Sequence, residues 1–324
     1  MSPNRKVKVA LIGAGGMANN VHYPSLVEFD DVELVGLCDL VEEKCTVTAD
    51  KFGIARRYLD YRQMLDEVEA EAVYILMPPH QLYDLVIDCL ERKLHVFIEK
   101  PPGITTHQIT WMARWAEKNG VLGMVGFNRR YIPLLRLCRD KVLAHGGPMH
   151  QAVATFYKWM DEPMHPYYRG AIDILTSDCI HAVDALRFMA GDVARVVASV
   201  KSLGQNYAMA FNALMEFESG GTGILLGNWR TGGRIHQFEM HARAISAFVN
   251  PDYEAVIHQD GNLFTERLDT KKVAGSDQLY KYYGFWHQSR HFIDCVKSGA
   301  EPETSFQSAI KTMELVDKIY RNQL

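Results

Sequence analysis

The chain has 324 residues, 48% of them hydrophobic and 23% charged, with a formal net charge of −4. That length suits two domains of ordinary size, each able to bury a core without covalent staples. The mildly acidic balance excludes a global basic field of the kind that draws nucleic acid or an anionic membrane. The densest basic stretch, 129–139, is broken by Leu and Pro.

No apolar run approaches the roughly 20 residues a membrane helix needs. The opening MSPNRKVKVALIG passes directly into a strand pattern, without a signal core. Six cysteines (Cys38, Cys45, Cys89, Cys138, Cys179 and Cys295) are spread along the chain with no C-x-x-C, which implies reduced thiols and a cytoplasmic protein.

Residues 6–12 form an apolar strand, followed by helical periodicity over 17–29 and a second strand at 32–39. Helices follow at 41–52 and 61–67, then a strand at 70–78. Apolar residues at Leu82, Leu85, Val86, Cys89 and Leu90 mark one face of a helix over 82–93. Residues 94–99 are again a strand. Thr105 opens the next helix, with Gln108 three residues on as a capping box, and a strand at 120–127 closes the series. Strands alternating with helices predict a doubly wound parallel α/β sheet over 1–127.

The pattern then changes. A helix at 132–145, a strand at 150–159 and a helix at 177–190 precede a run of strands: 195–202, 208–218, 223–229, 235–242, 244–250 and 255–259. Strands in succession without helices between them predict an antiparallel sheet. Helices at 282–297 and 305–321 end the chain, making 128–324 a second, α+β domain. No repeat or low-complexity tract interrupts it.

The first strand runs into GAGGMA, so Gly13, Gly15 and Ala18 fit G-x-G-x-x-A between a strand and a helix. The first glycine permits the turn, the second lets the backbone approach a pyrophosphate, and the small third position lets helix and strand pack. Gly16 and Met17 complete the phosphate-facing turn at the helix N-terminus. Asp39 ends the second strand, 21 residues after Ala18. A carboxylate there accepts from both ribose hydroxyls and repels a 2′-phosphate. Leu40 follows and no arginine is adjacent, which favours NAD over NADP.

The stretch LHVFIEKPPGITTHQ, residues 94–108, ends an apolar strand on Glu99 and Lys100 and then stops at two prolines. Ligands of doubly wound sheets bind at the carboxyl ends of strands, and Pro101 ends the strand and restricts Lys100. Lys100 is therefore either an ammonium at the rim of the cofactor crevice or a solvated lysine in a turn.

GAGGMA, then CD, then HVFIEKP, with GFNRRY about 30 residues later, resembles the glucose–fructose oxidoreductase/inositol dehydrogenase/rhizopine-catabolism (Gfo/Idh/MocA) family over nearly the whole chain. The resemblance implies a Rossmann domain followed by a domain with a large, mostly antiparallel open sheet. It also implies oxidation or reduction of a sugar or polyol carbon with bound NAD(H) or NADP(H). The lysine of E-K-P reaches the reacting oxygen in that family, and the role carries over to Lys100. A cis bond before Pro101 is compatible with the low cost of cis at X–Pro. Pro78, His80, Glu99, Lys100 and Asn128 join the glycine turn and Asp39 as expected cofactor contacts. The family's usual Asn at the position of Pro79 and His near Leu82 are missing here. His80 either replaces part of that contact or only begins a helix.

Residues 174–191, ILTSDCIHAVDALRFMAG, read as a helix with Ser177, Asp178, His181 and Asp184 near one face. Taken alone, this is either a solvent-facing stripe or a site. The resembled family carries D-x-x-x-H-x-x-D on such a helix, with the histidine in proton transfer. His181 and Asp184 match, whereas Ser177 stands at the position of the earlier acid and Asp178 lies one residue later. The implied chemistry puts a substrate hydroxyl between Lys100 and His181. His181 acts as general base and Lys100 stabilises the developing alkoxide, and Asp178 orients the imidazole or touches substrate.

The loop 157–173 supplies Tyr157, Lys158, Trp159 and Arg169, with His165, as candidate sugar contacts or as a subunit contact. One of Arg129 and Arg130 is expected to be a surface or structural residue. His287 and His291 are four apart, but no Glu follows His287, so no H-E-x-x-H metal site is expected.

These features together predict an NAD-dependent oxidoreductase acting on a small carbohydrate-like molecule, with no nucleic-acid or membrane partner and assembled as a homodimer or homotetramer. The alternatives are an NAD-dependent redox glycosidase of the same family, a sugar-sensing regulatory protein that has lost turnover, and an oxidoreductase for a non-sugar substrate such as a dihydrodiol or tetrapyrrole.

Overall fold

The computed structural model describes residues 5–160 and 167–324. Contacts divide the chain into two compact units. The first is Met1–Phe127 with Leu279–Lys281 and Phe285–Ile310; the second is Asn128–Gln278 with Tyr282–Gly284 and Lys311–Leu324. The sequence division placed all of 128–324 in the second domain, whereas two C-terminal segments group with the first unit.

In the first unit β1 (Val7–Ile12) leads through the glycine turn into a π-type turn, Ala18–His22, and a single α-turn, α1 (Tyr23–Leu26). The expected helix over 17–29 is thus shorter and irregular. Pro24 has no amide hydrogen to donate to residue 20, and the chain widens ahead of it. Then come β2 (Val32–Cys38), α2 (Glu42–Phe52), β3 (Arg57–Tyr58), α3 (Tyr61–Glu67), β4 (Ala72–Ile75), α4 (Tyr83–Glu91), β5 (His95–Ile98), α5 (Thr106–Asn119) and β6 (Gly123–Val125). The strands lie in the order β3-β2-β1-β4-β5-β6, all parallel. Chain direction across the sheet switches between β1 and β4, where doubly wound sheets open a ligand crevice. All of Ala72, Val73, Tyr74 and Ile75 are fully buried, as strands covered on both faces must be.

Helix ends follow local chemistry. The Thr105 hydroxyl accepts from the Gln108 amide at 3.3 Å, but the Gln108 side chain reaches the Ile104 amide (2.7 Å) instead of closing on Thr105. Half of the expected capping box therefore forms. Gly53 and Gly120 end α2 and α5 in the left-handed region.

The second unit contains α6 (Pro133–Gly146), β7 (Gln151–Trp159), a π-type turn at Leu175–Cys179, α7 (Ile180–Ala190), β8 (Val193–Lys201), β9 (Ala210–Phe217), β10 (Thr222–Asn228), β11 (Arg230–Ala242), β12 (Ile245–Val249), β13 (Glu254–Gln259), β14 (Asn262–Asp269) and α8 (Thr270–Ala274). Its eight strands are ordered β14-β13-β12-β11-β7-β10-β9-β8. Every neighbouring pair is antiparallel except β7 and β10. The buried helix α7 packs on β7 and β10.

After α9 (Leu279–Tyr282), α10 (Phe285–Ser298) and the start of α11 (Phe306–Arg321) complete the first unit. Phe292 meets the stacked pair Tyr74 and Phe97 at 5.6 and 5.7 Å, and Trp286 meets Phe29 at 5.1 Å. Phe306 fills the space where a Cβ on Gly123 would lie 2.2 Å away. All six cysteines are buried and unpaired.

Candidate active site

The dinucleotide turn of the first unit is built as its sequence requires. Gly13 has φ +105°, and a Cβ there would stand 2.6 Å from the Leu76 carbonyl oxygen, so both backbone angle and space demand glycine. A Cβ on Gly15 or Gly16 would meet nothing within 4 Å. Both glycines and Met17 are exposed, while Ala18 is buried. Amides in this first turn have no intrahelical acceptor, and their backbone can be approached closely.

Asp39 Oδ2 accepts from the Ala14 amide at 2.7 Å and Oδ1 from the Val41 amide at 2.8 Å. The carboxylate is thereby fixed beside the turn with lone pairs to spare. A cleft of about 370 Å³ opens next to it, with Leu59, Met77 and Leu85 as apolar walls and Asp60, Asp84 and Arg62 as charged ones. Arg62 is ion-paired to Asp88 at 3.1 Å. The expectation that no arginine neighbours Asp39 holds in sequence but not in space. Open turn, anchored carboxylate and apolar slot fit an adenosine diphosphate moiety. Pro78 and His80 lie at a 3₁₀ turn, Pro79–Gln81, ahead of α4, with His80 exposed.

Glu99 is turned inward. Its Oε1 lies 2.7 Å from His22 Nε2, and its Oε2 accepts from the Lys100 amide at 3.0 Å. His22 is fully buried, edge-on to Phe97 and Phe285. Glu99 therefore ties the turn that carries Lys100 to the element after the glycine loop, and the Lys100–Pro101 bond is cis.

In the second unit Ser177, Asp178, His181 and Asp184 are 2%, 7%, 4% and 1% exposed. The polar stripe faces the interior, not solvent. Asp184 is held by Arg130, Nη2 at 2.6 Å and Nε at 2.8 Å, and by the Thr312 hydroxyl at 2.8 Å. Asp178 Oδ2 receives the Lys158 ammonium and the Tyr167 hydroxyl, the latter at 2.5 Å. Burial and then the Asp178 charge push the Tyr167 phenol well above its ordinary pKa, so it stays a donor. Asp178, one residue past the family position, is thus engaged by Lys158 and Tyr167. Tyr167 lay within the candidate loop but was not singled out in the sequence.

The other candidates disperse. Side chains alternate along β7, so Lys158 shares the α7-facing side with Phe156, while Tyr157 and the 72% exposed Trp159 take the opposite side. Tyr157 and Trp159 are not gathered with Asp178 and His181 as expected. Arg169 is exposed in a turn at φ +57°, and His165 lies outside the described residues. Asn128 is 1% exposed, gives its Nδ2 to the Tyr283 carbonyl and takes Arg129 Nη1 on Oδ1, both at 2.8 Å. Half of its side-chain hydrogen-bonding capacity is already used. Both Arg129 and Arg130 are buried, and of the surface or structural role expected for one of them, Arg130 takes the structural one through its ion pair with Asp184. His291 Nε2 accepts from the Glu303 amide at 2.9 Å, a packing role.

Sequence reading missed His236 on β11. It is 1% exposed, its ring stacks on Phe156 at 3.8 Å, and its Nδ1 lies 3.0 Å from Arg234 Nη2. Burial first, then the charges of Arg129, Arg234 and Lys158, push its pKa down to about 2. The available signal was alternation: His236 shares the buried face of its strand with Phe238 and Met240.

Residues 7–127 match the model of the GFO/IDH/MocA oxidoreductase family with its NAD-binding Rossmann fold, and residues 146–246 match that family's C-terminal domain. This chain belongs to the GFO/IDH/MocA oxidoreductases. Among its family relatives, D-apiose dehydrogenase of Paraburkholderia graminis is 26% identical, covering 98% of this chain and 87% of that one. Myo-inositol 2-dehydrogenase of Thermotoga maritima is 24% identical over 92% and 91%. The fold is shared with a dehydrogenase from Chromobacterium violaceum (TM-score 0.88, 20% identity, covering 98% of this chain and 96% of that one). It is also shared with levoglucosan dehydrogenase in complex with NADH and levoglucosan (TM-score 0.85, 18% identity, 98% and 97%). Among the described residues of this GFO/IDH/MocA chain, no helix is long and apolar enough to cross a membrane.

Proposed function

We propose that this GFO/IDH/MocA enzyme oxidises a CH–OH carbon of a sugar, polyol or related hydroxy compound, with NAD in preference to NADP. The observation that carries the reading is the buried polar line Asp178–His181 backed by Lys158 and Tyr167. An interior keeps such groups where chemistry uses them. The names of the apiose and inositol dehydrogenases among its relatives support the substrate class.

Bound NAD supplies the hydride acceptor. Gly13, its amide held by the Cys38 carbonyl, makes the turn; the amides at Gly15, Gly16 and Met17 receive the pyrophosphate, Ala18 keeps helix and strand close, and Asp39 accepts from the ribose hydroxyls. Asp39, Asp60 and Asp84 outnumber Arg62 around the cleft, which disfavours an added 2′-phosphate. His181 accepts the hydroxyl proton and Lys100 stabilises the oxygen as it becomes negative. Asp178 holds Lys158 in place as a donor to other substrate oxygens, and Tyr167, whose single hydroxyl proton goes to Asp178, braces that carboxylate. Glu99 fixes the backbone from which Lys100 projects.

The test is a panel of sugars, polyols, inositols and sugar acids, with nicotinamide absorbance followed for NAD and NADP in parallel. Reduction of NAD by at least one family of substrates, faster than of NADP, is expected. Tight NAD binding with no reduction anywhere in the panel would overturn the oxidoreductase assignment, and faster NADP reduction the cofactor preference.

A further inference from the structure

Of the three buried arginines among the described residues of the second unit, two pair with acids, as do the partly exposed Lys158 and Arg234. Arg130 takes Asp184, Lys158 takes Asp178, Arg187 takes Asp192 and the half-exposed Arg234 takes Asp252. Arg129 is 7% exposed and has no carboxylate among the described residues. Its Nη1 donates to Asn128 Oδ1, its Nε is buried without an acceptor, and its guanidinium lies over the rings of Tyr283 (4.7 Å) and Phe156 (5.9 Å). Ring faces compensate a desolvated cation only in part.

His236, which also packs against Phe156, adds a second, independent observation. Arginine only donates, so the contact from Arg234 Nη2 makes Nδ1 the acceptor. Held neutral by burial and three flanking cations, the imidazole must then carry its proton on Nε2. That N–H is buried with no acceptor. A guanidinium lacking an anion and an N–H lacking an acceptor thus lie by the same ring, near Lys158, which is bound to Asp178.

We propose that the substrate carries a carboxylate, as in an aldonate, a uronate or another polyhydroxy acid, and that Arg129 receives it with the Nε2–H of His236 as second donor. This deepens the proposed dehydrogenase reading and rests on it for turnover, though not for binding. Arg129 binds the anion through charge-assisted hydrogen bonds, and the neutral His236 contributes direction without adding repulsion against Lys158 and Arg234. The reactive hydroxyl and the carboxylate belong to one molecule, so the enzyme discriminates acids from alditols of the same configuration.

The test uses the full chain loaded with NAD and configurationally matched pairs, such as D-gluconate against D-glucitol and D-glucuronate against D-glucose. Among pairs that turn over, kcat/KM is expected to favour the acid at least tenfold. Arg129→Met should cut that ratio at least tenfold, with Arg129→Lys retaining more of it than Met. Preference for the neutral partner in every reacting pair, or an unchanged ratio in a folded Arg129→Met protein, overturns the proposal and leaves the dehydrogenase reading intact. Titration calorimetry with D-gluconate and D-glucuronate decides the case in which nothing turns over. Saturable binding weakened at least tenfold by Arg129→Met, or by His236→Phe if the arginine variant does not fold, supports the anion site while the dehydrogenase reading fails. Absent or unaltered binding overturns the anion site as well.

Discussion

Arg129 and Arg130 are neighbours in sequence with different partners. Arg130 forms a two-point ion pair with Asp184 in a nearly dry setting, so removing the acid strands a buried guanidinium. Asp184→Ala is expected to cost about 3–5 kcal/mol in denaturant unfolding. The double change Arg130→Met with Asp184→Leu should recover a large part. A loss below about 1 kcal/mol for the single variant would show that water or another group takes the acid's place. This pair marks where the sequence stopped being legible. Asp184 fits a motif position beside His181, and nothing in its spacing tells that an arginine 54 positions earlier holds both its oxygens. Lys100 is a different kind of residue, prominent in sequence because a proline stop follows an apolar strand. Its expected role acts on the charged oxygen more than on the bound ground state. Lys100→Ala should therefore lower kcat by roughly a hundred- to a thousandfold and leave the NAD dissociation constant within a few-fold. Stopped-flow turnover and fluorescence titration of the nucleotide separate the two. Equal turnover in both proteins would remove Lys100 from the chemistry.

Elements of the first sheet were legible because a parallel strand covered on both faces is written as a mostly apolar run, and β1, β4 and β5 are such runs, interrupted only by Lys8 and opened by His95. Edges were not. β14 has no buried residue, so no alternation marks it, and the two-residue β3 is too short to leave a pattern. The π-type turns at Ala18–His22 and Leu175–Cys179 were also read as plain helix, since period alone does not distinguish a widened turn. The loop between β1 and α1 was the most legible piece, and its first glycine should be the least replaceable. Gly13→Ala places a methyl against the Leu76 carbonyl at a φ of +105°. A loss of about 2 kcal/mol or more is expected, with NAD affinity falling at least tenfold because the turn must shift to relieve the clash. Gly16→Ala, at a position with open space, should change stability by less than about 1 kcal/mol. Thermal melts with and without NAD compare the two, and similar losses would mean that the turn is not held at the Gly13 angle.

The whole molecule adds a constraint that chain order conceals: the first unit is discontinuous. Phe285, Phe292, Ile293 and Phe306, all buried, come from its C-terminal segment and cover Tyr74, Phe97 and Gly123. A chain ending at Phe127 is therefore expected to expose that surface, bind a hydrophobic dye and unfold without a sharp transition. Linking 285–310 to it should restore cooperative melting, and a sharp transition in the short chain alone would show that the added segment is dispensable.

Charge reinforces the same closure. Asp31 receives Arg290 at 2.7 and 3.1 Å and Lys297 at 2.7 Å. Burial by itself would raise its pKa, but the hydrogen bonds and charges of these two cations outweigh it and bring the carboxyl down to about 2. A pKa depressed in the folded state stabilises fully above the ordinary carboxylate value near 4, and that stability is lost as pH falls toward 2. The shift corresponds to about 2 kcal/mol at most, and to about 1 kcal/mol once solvent screening of a side chain one-quarter exposed is counted. Asp31→Asn should therefore be less stable than wild type by that amount at neutral pH, with the difference shrinking between pH 4 and pH 2. Urea midpoints measured across that range check the sign. A gap that stays constant down to pH 2 would mean that Asp31 acts through shape and hydrogen bonding alone, without its charge.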